Sequence, residues 1–128
     1  MQLTRETSPA NVIRAWEPGR IRVLERWIEG NVIVSADRLI EGWSAELLAV
    51  TAGDLHEAIA LNPEIILLGT GPELTLPDTE LMAELAEQRI GLEVMSTPAA
   101  CRTYNVLVHE QRRVVAVLLN PAPSAARR

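Results

Sequence analysis

The stretch LNPEIILLGTG, residues 61–71, decides how this chain folds. Asn62-Pro63 stops whatever precedes it, and Glu64–Gly69 then reads as a strand, apolar without a break from Ile65 and closed by glycine. Successive side chains of a strand point to opposite faces, so a run apolar at both parities needs cover on both sides. That pattern marks an interior strand of a layered α/β sheet rather than a half-wet one. RRVVAVLLN, residues 112–120, repeats it, and the two runs are expected to be neighbours.

Between and before these runs the period changes. Asp78 opens a helix with Leu81, Met82 and Leu85 on its buried stripe, ending near Gln88. GLEVM, residues 91–95, reads as a further strand, and a helix follows it. Upstream, Thr51 and Asp54 have the spacing of a reciprocal cap for a short helix running to Leu61. EGWSAELLAV, residues 41–50, is ambiguous: a loop around Trp43, then a short strand or a first helical turn. GRIRVLERWIEGNVIVSA, residues 19–36, predicts a hairpin turning at Glu29-Gly30-Asn31. Ile21, Val23 and Trp27 share one parity, and Arg20, Arg22 and Arg26 the other. Residues 1–16 show no sustained period and read as a loose arm, and the tail from Pro121 as flexible. Strands alternating with helices predict one α/β domain over residues 1–128, ordered from about residue 17 to 121, with a β-hairpin before it.

Composition narrows the function. The chain has 128 residues, a formal net charge of -5, and twelve arginines as its only Lys/Arg residues. Nucleic-acid binding needs a concentrated basic surface and is not expected. One cysteine permits no internal disulfide and suits a reducing compartment. The start lacks the apolar run of a signal peptide and no later segment is long enough to span a bilayer, so a cytoplasmic location is expected.

The densest group of chemical side chains is STPAACRTYNVLVHE, residues 96–110. Thr97 is the expected N-cap and Pro98 the first helical residue. At about 100° per residue, Ala99, Ala100, Thr103, Tyr104, Val106, Leu107 and Val108 form a broad apolar side. Arg102, Asn105 and His109 fall opposite, within roughly 60°, as the polar face that any amphipathic helix needs. Arg102 stands near the helix start, where the macrodipole favours anions. A structural pair with Glu93 satisfies it, and a bound anion is the competing use. The loop Gly69-Thr70-Gly71 follows the carboxyl end of a strand, where α/β proteins gather ligands. Residue 74 is leucine, which breaks a dinucleotide fingerprint, and without lysine there is no P-loop. A sharp turn with positive φ at Gly69 and Gly71 is the simpler use. Cys101 and His109 lie eight residues apart, roughly 12 Å along the axis and facing different sectors, so they form no dyad. Cys101 is expected to be packed and inert. No residues are proposed as catalytic, no metal-ligand spacing occurs around His56 or His109, and no cofactor is expected. The three tryptophans, Trp16, Trp27 and Trp43, pack by default, and an exposed one would mark a partner surface.

IILLGTG (65–71) followed by IGLEVMSTPAACRTYNVLVHEQRRVVAVLLNP (90–121) closely resembles the Mth-type family of unknown function, which includes the mitochondrial respiratory complex I assembly factor three and an adipogenesis-associated protein. The resemblance runs from about Gly19 to Pro121. It implies a three-layer α/β/α fold with a central mixed sheet, its last strand beside the one ending at Gly69. Gly69, Gly71, Glu93, Thr97, Ala100, Tyr104 and Asn105 match the family pattern, whereas family members vary at Arg102. The resemblance also implies no established enzyme activity. Two functions are weighed: a non-enzymatic, assembly-factor-like interaction module, which is favoured, and a small-ligand or anion-binding protein. The second, an enzyme or a simple binder, would use a cleft formed by Gly69, Thr70, Gly71, Thr97, Arg102 and Asn105. Independently of function, the Asn105 amide is expected to bond backbone in the Gly69–Gly71 loop or the Thr97 turn, tying the two together. A protein partner is expected, membrane insertion is not, and self-association is left open.

Overall fold

The computed structural model describes residues 9–44 and 50–122. At its centre β6 (Ile65–Gly69) and β8 (Val114–Leu118) run parallel, Ile65 facing Val114 and Gly69 facing Leu118. They are the neighbouring interior strands that their composition requires. β7 (Gly91–Met95) adds parallel to β6, while β4 (Val32–Ser35) and β5 (Leu39–Glu41) complete the other side antiparallel, giving the order β5-β4-β8-β6-β7.

Each parity of the central strands feeds its own core. Leu67, Val114, Ala116 and Leu118 join Val32 and Val34 on one face. Ile66, Leu68, Val115 and Val117 join Ile33 on the other. Burying a Val, Leu or Ile side chain in full contributes about 1.5–3 kcal/mol. On the second face lie Trp43, α1 (His56–Ile59) and α2 (Thr79–Glu87), the latter burying Leu81 and Leu85. On the first face lie α3 (Thr97–His109) and a three-stranded sheet of β1 (Ile13–Glu17), β2 (Arg20–Val23) and β3 (Arg26–Glu29). The α/β/α architecture with a mixed sheet is thus present, and the N-terminal sheet shares the α3 layer.

Several elements depart from the sequence expectation. The arm is not loose up to residue 16, because Ile13–Glu17 pairs with β2 as β1. The hairpin turns at Leu24-Glu25 rather than at Glu29–Asn31. Leu24 adopts φ 52°, a left-handed conformation in a residue type that seldom takes it, so turn chemistry could not reveal it. Gly30, at φ 81°, does turn, but it carries the chain from the small sheet into the central one. The two-residue turn exchanges parities, so Ile28 is buried and Trp27 is 38% exposed, beneath the Arg20 guanidinium 4.0 Å from its ring centre. Arg20, Arg22 and Arg26 pair with Glu17, Glu25 and Glu41 as a solvated row. Met82 and Val106, assigned to buried stripes, are exposed.

The cap at Thr51 and Asp54 is reciprocal, with bonds of 3.0 and 3.1 Å between each backbone N–H and the other's side chain. The regular helix beyond it is short, His56–Ile59. Of the EGWSAELLAV stretch, residues 45–49 lie outside the described residues, as do residues 1–8 and 123–128 of the arm and tail.

Glu64 clamps the starts of β6 and β8. Its carboxylate accepts from the Arg113 backbone N–H at 3.1 Å and from the Arg112 guanidinium at 3.0 Å. These bonds, the backbone one first, hold its pKa below the ordinary 4.5. A depressed carboxylate adds stability above its unfolded pKa, and that contribution is lost as pH falls through the folded value. Glu64→Gln should therefore be less stable than wild type at neutral pH, and urea titrations should show the two converging below pH 4.5.

Candidate functional site

The polar residues singled out by sequence meet at two places, both built around α3. At the first, β6 ends against the start of α3. Ser96, not Thr97, is the N-cap, accepting from the Ala99 N–H. Thr97 is released from capping and fully buried. Its hydroxyl donates to the Leu119 carbonyl at 2.6 Å and accepts from the Gly71 N–H at 2.7 Å, while its own N–H donates to the Gly71 carbonyl at 2.7 Å. A Cβ on Gly69 would lie 2.8 Å from Thr97 Oγ1 and 3.0 Å from Thr97 Cα. Gly69 therefore serves close approach of backbone, and only Gly71, at φ 105°, supplies a positive φ. Thr70 is buried too, donating to the Glu73 carbonyl and accepting from the Thr75 N–H. The donors that could have cradled an anion are thus turned on one another.

The second place is the seam where β1 lies along α3. Asn105 Oδ1 accepts from the Ile13 N–H at 2.9 Å, and its Nδ2 donates to the Ile13 carbonyl at 2.8 Å. The primary amide acts as one peptide unit of a missing strand and satisfies the outer edge of β1 at that point. The expected bond from Asn105 to the glycine loop or the Thr97 turn does not form, because the first residue of β1 takes both ends of its amide. Tyr104, fully buried, donates to the Asn11 carbonyl at 2.8 Å. Burial, and secondarily the charge of Asp37, raises the pKa of its hydroxyl. Asn120 closes the seam beneath Trp16: its side chain accepts from Trp16 Nε1 and donates to the Glu17 carbonyl, and its backbone N–H donates to Asn31 Oδ1.

Arg102 and Asn105 do share a side of α3, but only Arg102 is left to solvent. Glu93 is exposed on β7 and makes no ion pair with Arg102. Glu93 shares the α3-side face of β7 with Met95, yet it stays beyond ion-pair distance of Arg102. Cys101 is buried and its thiol is pushed up to about 12 by desolvation, against a smaller pull from Arg102. Among the described residues no three His, Cys, Asp or Glu side chains gather as a metal site.

One hollow of about 290 Å³ lies at Asn62, Arg89 and Arg113, and two lie along the β1–α3 seam. One of about 260 Å³ is lined by Arg14, Trp16, Pro98, Cys101, Arg102 and Asn105 together with Ile13 and Ala15. A second of about 430 Å³ is lined by Val12, Asn105, Val106, His109 and Glu110. Sequence patterning missed Val12, Arg14 and Trp16 as seam residues because their stretch carries no period. The alternation over Ile13, Ala15 and Glu17 is too short to stand out.

An α/β domain that spends its polar residues on joining layers is the class that this geometry defines. The chain belongs to the family described as protein of unknown function (DUF498/DUF598), whose profile matches residues 13–119. It is similar to the 13 kDa major membrane protein of Francisella tularensis subsp. holarctica (strain LVS), 33% identical over 90 residues, covering 69% of this chain and 73% of that one. It is 28% identical over 127 residues to the NADH dehydrogenase [ubiquinone] 1 alpha subcomplex assembly factor 3 of Danio rerio, covering 98% and 72%. The solution structure of a Bordetella pertussis protein, a Mth938-like domain, superposes with a TM-score of 0.77 at 27% identity, covering 98% and 96%. The resemblance seen in the sequence holds. Among the described residues no helix is long and apolar enough to cross a membrane.

Two outcomes follow from the seam. Asn105→Ala leaves both Ile13 backbone groups without their partner and should cost about 1–3 kcal/mol in denaturant titrations. Hydrogen exchange should accelerate at the Ile13 amide and stay unchanged in β6. The Cys101 thiol should react with a disulfide reagent at pH 8 only as fast as the protein opens, and at once in denaturant; rapid native labelling would contradict its burial.

Proposed function

We propose that this chain is a protein-interaction module of assembly-factor type rather than an enzyme. The observation that carries this is apolar surface left uncovered on a well-packed fold. Leu76 is 71% exposed, Leu74 57% and Val106 56%, while Met82 and Trp27 also reach solvent. Covering such side chains with a partner returns free energy that the monomer leaves in water. The similarity to an assembly factor over nearly the whole chain supports the same reading. So does the internal use of Thr97, Asn105, Tyr104 and Asn120, side chains that would otherwise be the first candidates for chemistry. A reducing compartment such as the cytoplasm suits its single buried thiol.

The test is purification of the tagged chain from its own host, followed by light scattering on the eluted complex. A protein partner in fixed ratio is expected, its recovery reduced by Leu76→Asp or Val106→Asp. A chain that elutes alone from the host, with and without cross-linking, would sink the proposal.

A further inference from the structure

The β1–α3 seam is divided by charge as well as shape. Asn105 lines both of its hollows, and its two bonds to Ile13 hold the ridge between them at a set position. On one side of the ridge stand Arg14, Trp16 and Arg102. Among the described residues neither arginine has an ion-pair partner; Arg89 and Arg113 also line one hollow without an ion pair, but there the Arg113 guanidinium already donates to the Asn62 carbonyl. In a chain of net charge -5, two uncompensated guanidiniums beside one hollow are a local reversal of sign. Such groups are suited to paired hydrogen bonds with a carboxylate. On the other side Val12 and the exposed Val106 offer apolar surface, and Glu110 stands with them.

The geometry points to this seam as the docking groove for an acidic, extended segment of a partner protein. The inference rests on the interaction reading above and names the partner's chemistry. Polarity follows from the charges: a carboxylate is drawn to Arg14 and Arg102 and repelled from the Glu110 end, so the apolar side chain takes the place beside Val106. Spacing follows from the helix. Val106 lies about 6 Å and His109 about 10 Å beyond Arg102 along the axis. An extended chain rises about 3.3 Å per residue, so the apolar residue stands two or three positions from the carboxylate. A small anion would use only the arginine end and leave Val106 in water, which is why a peptide fits the whole surface better.

Labelled peptides with two adjacent glutamates three residues from a leucine, in both chain directions, provide the probe in anisotropy titrations of the full chain. One direction should bind, and replacing glutamate by glutamine or leucine by serine should weaken it about tenfold or more. Arg14→Ala with Arg102→Ala, or Val106→Ser, should weaken it likewise, while Met82→Ser on α2 should not. Thermal melts establish that these surface variants are folded. Equal binding of the glutamine peptide, binding unaffected by the seam variants, or no binding of any peptide overturns the docking site. So does a response to succinate or phosphate as strong as that to the peptide, which would mark a small-anion site. In a second arm, the partner recovered from the host is offered to the Arg14→Glu, Arg102→Glu chain. Retention there overturns the groove and leaves the interaction reading intact. Lack of any host partner for wild type sinks the interaction reading, with the peptide titration deciding the groove separately.

Discussion

Two adjacent strands with no wet face, β6 and β8, place the demand that the rest of the molecule meets. Leu67 and Ala116 need cover on one side while Ile66, Leu68, Val115 and Val117 need it on the other. Parallel pairing also requires long connections between the strands, and those connections supply the cover. α2 lies on one face as the link from β6 to β7, and α3 on the other as the link from β7 to β8. One helix is not wide enough for a five-stranded sheet, so the three-stranded N-terminal sheet fills the remainder of the α3 layer.

That arrangement creates a join between unlike elements, a strand edge against a helix flank. Neither helix nor sheet can continue its own hydrogen-bond pattern across such a join, and a buried orphaned peptide group costs as much as a lost bond. Side-chain amides and hydroxyls bridge the gap: Asn105 to Ile13, Tyr104 to Asn11, and Asn120 to Trp16 and Glu17. Thr97 does the same where β6 and β8 end against α3. The residue types that suggest a site in the sequence are those that a layered fold needs at its joins. Along the β1–α3 seam the joins leave Arg14, Arg102 and the exposed Val106 unused.

Thr97, Tyr104, Asn105 and Asn120 are each spent on bonds between layers, and the polar groups that remain exposed lie outside those joins.

Local order was legible wherever a rule acts over a few residues. The double-sided apolar runs of β6 and β8, the Thr51–Asp54 cap, the helix opening at Asp78 and the strand at Gly91 all follow from near-neighbour spacing and burial. The family pattern over residues 90–121 is equally local. The partners of Asn105, Thr97 and Arg102 were not legible. Ile13 is 92 residues from Asn105, and the bond between them exists only because β1 folds back along α3. The turn at Leu24-Glu25 was hidden because its left-handed residue is a leucine, held there by the pairing of Ile21 with Ile28 rather than by its own preference. Periodicity by itself determined an α/β domain with two interior strands covered on both faces, and the family pattern added the three layers. The joins, the side of the sheet that each polar residue faces, and the sign of the charge along the seam were decided only by tertiary structure. Each depends on which distant backbone group arrives first to take a hydrogen bond.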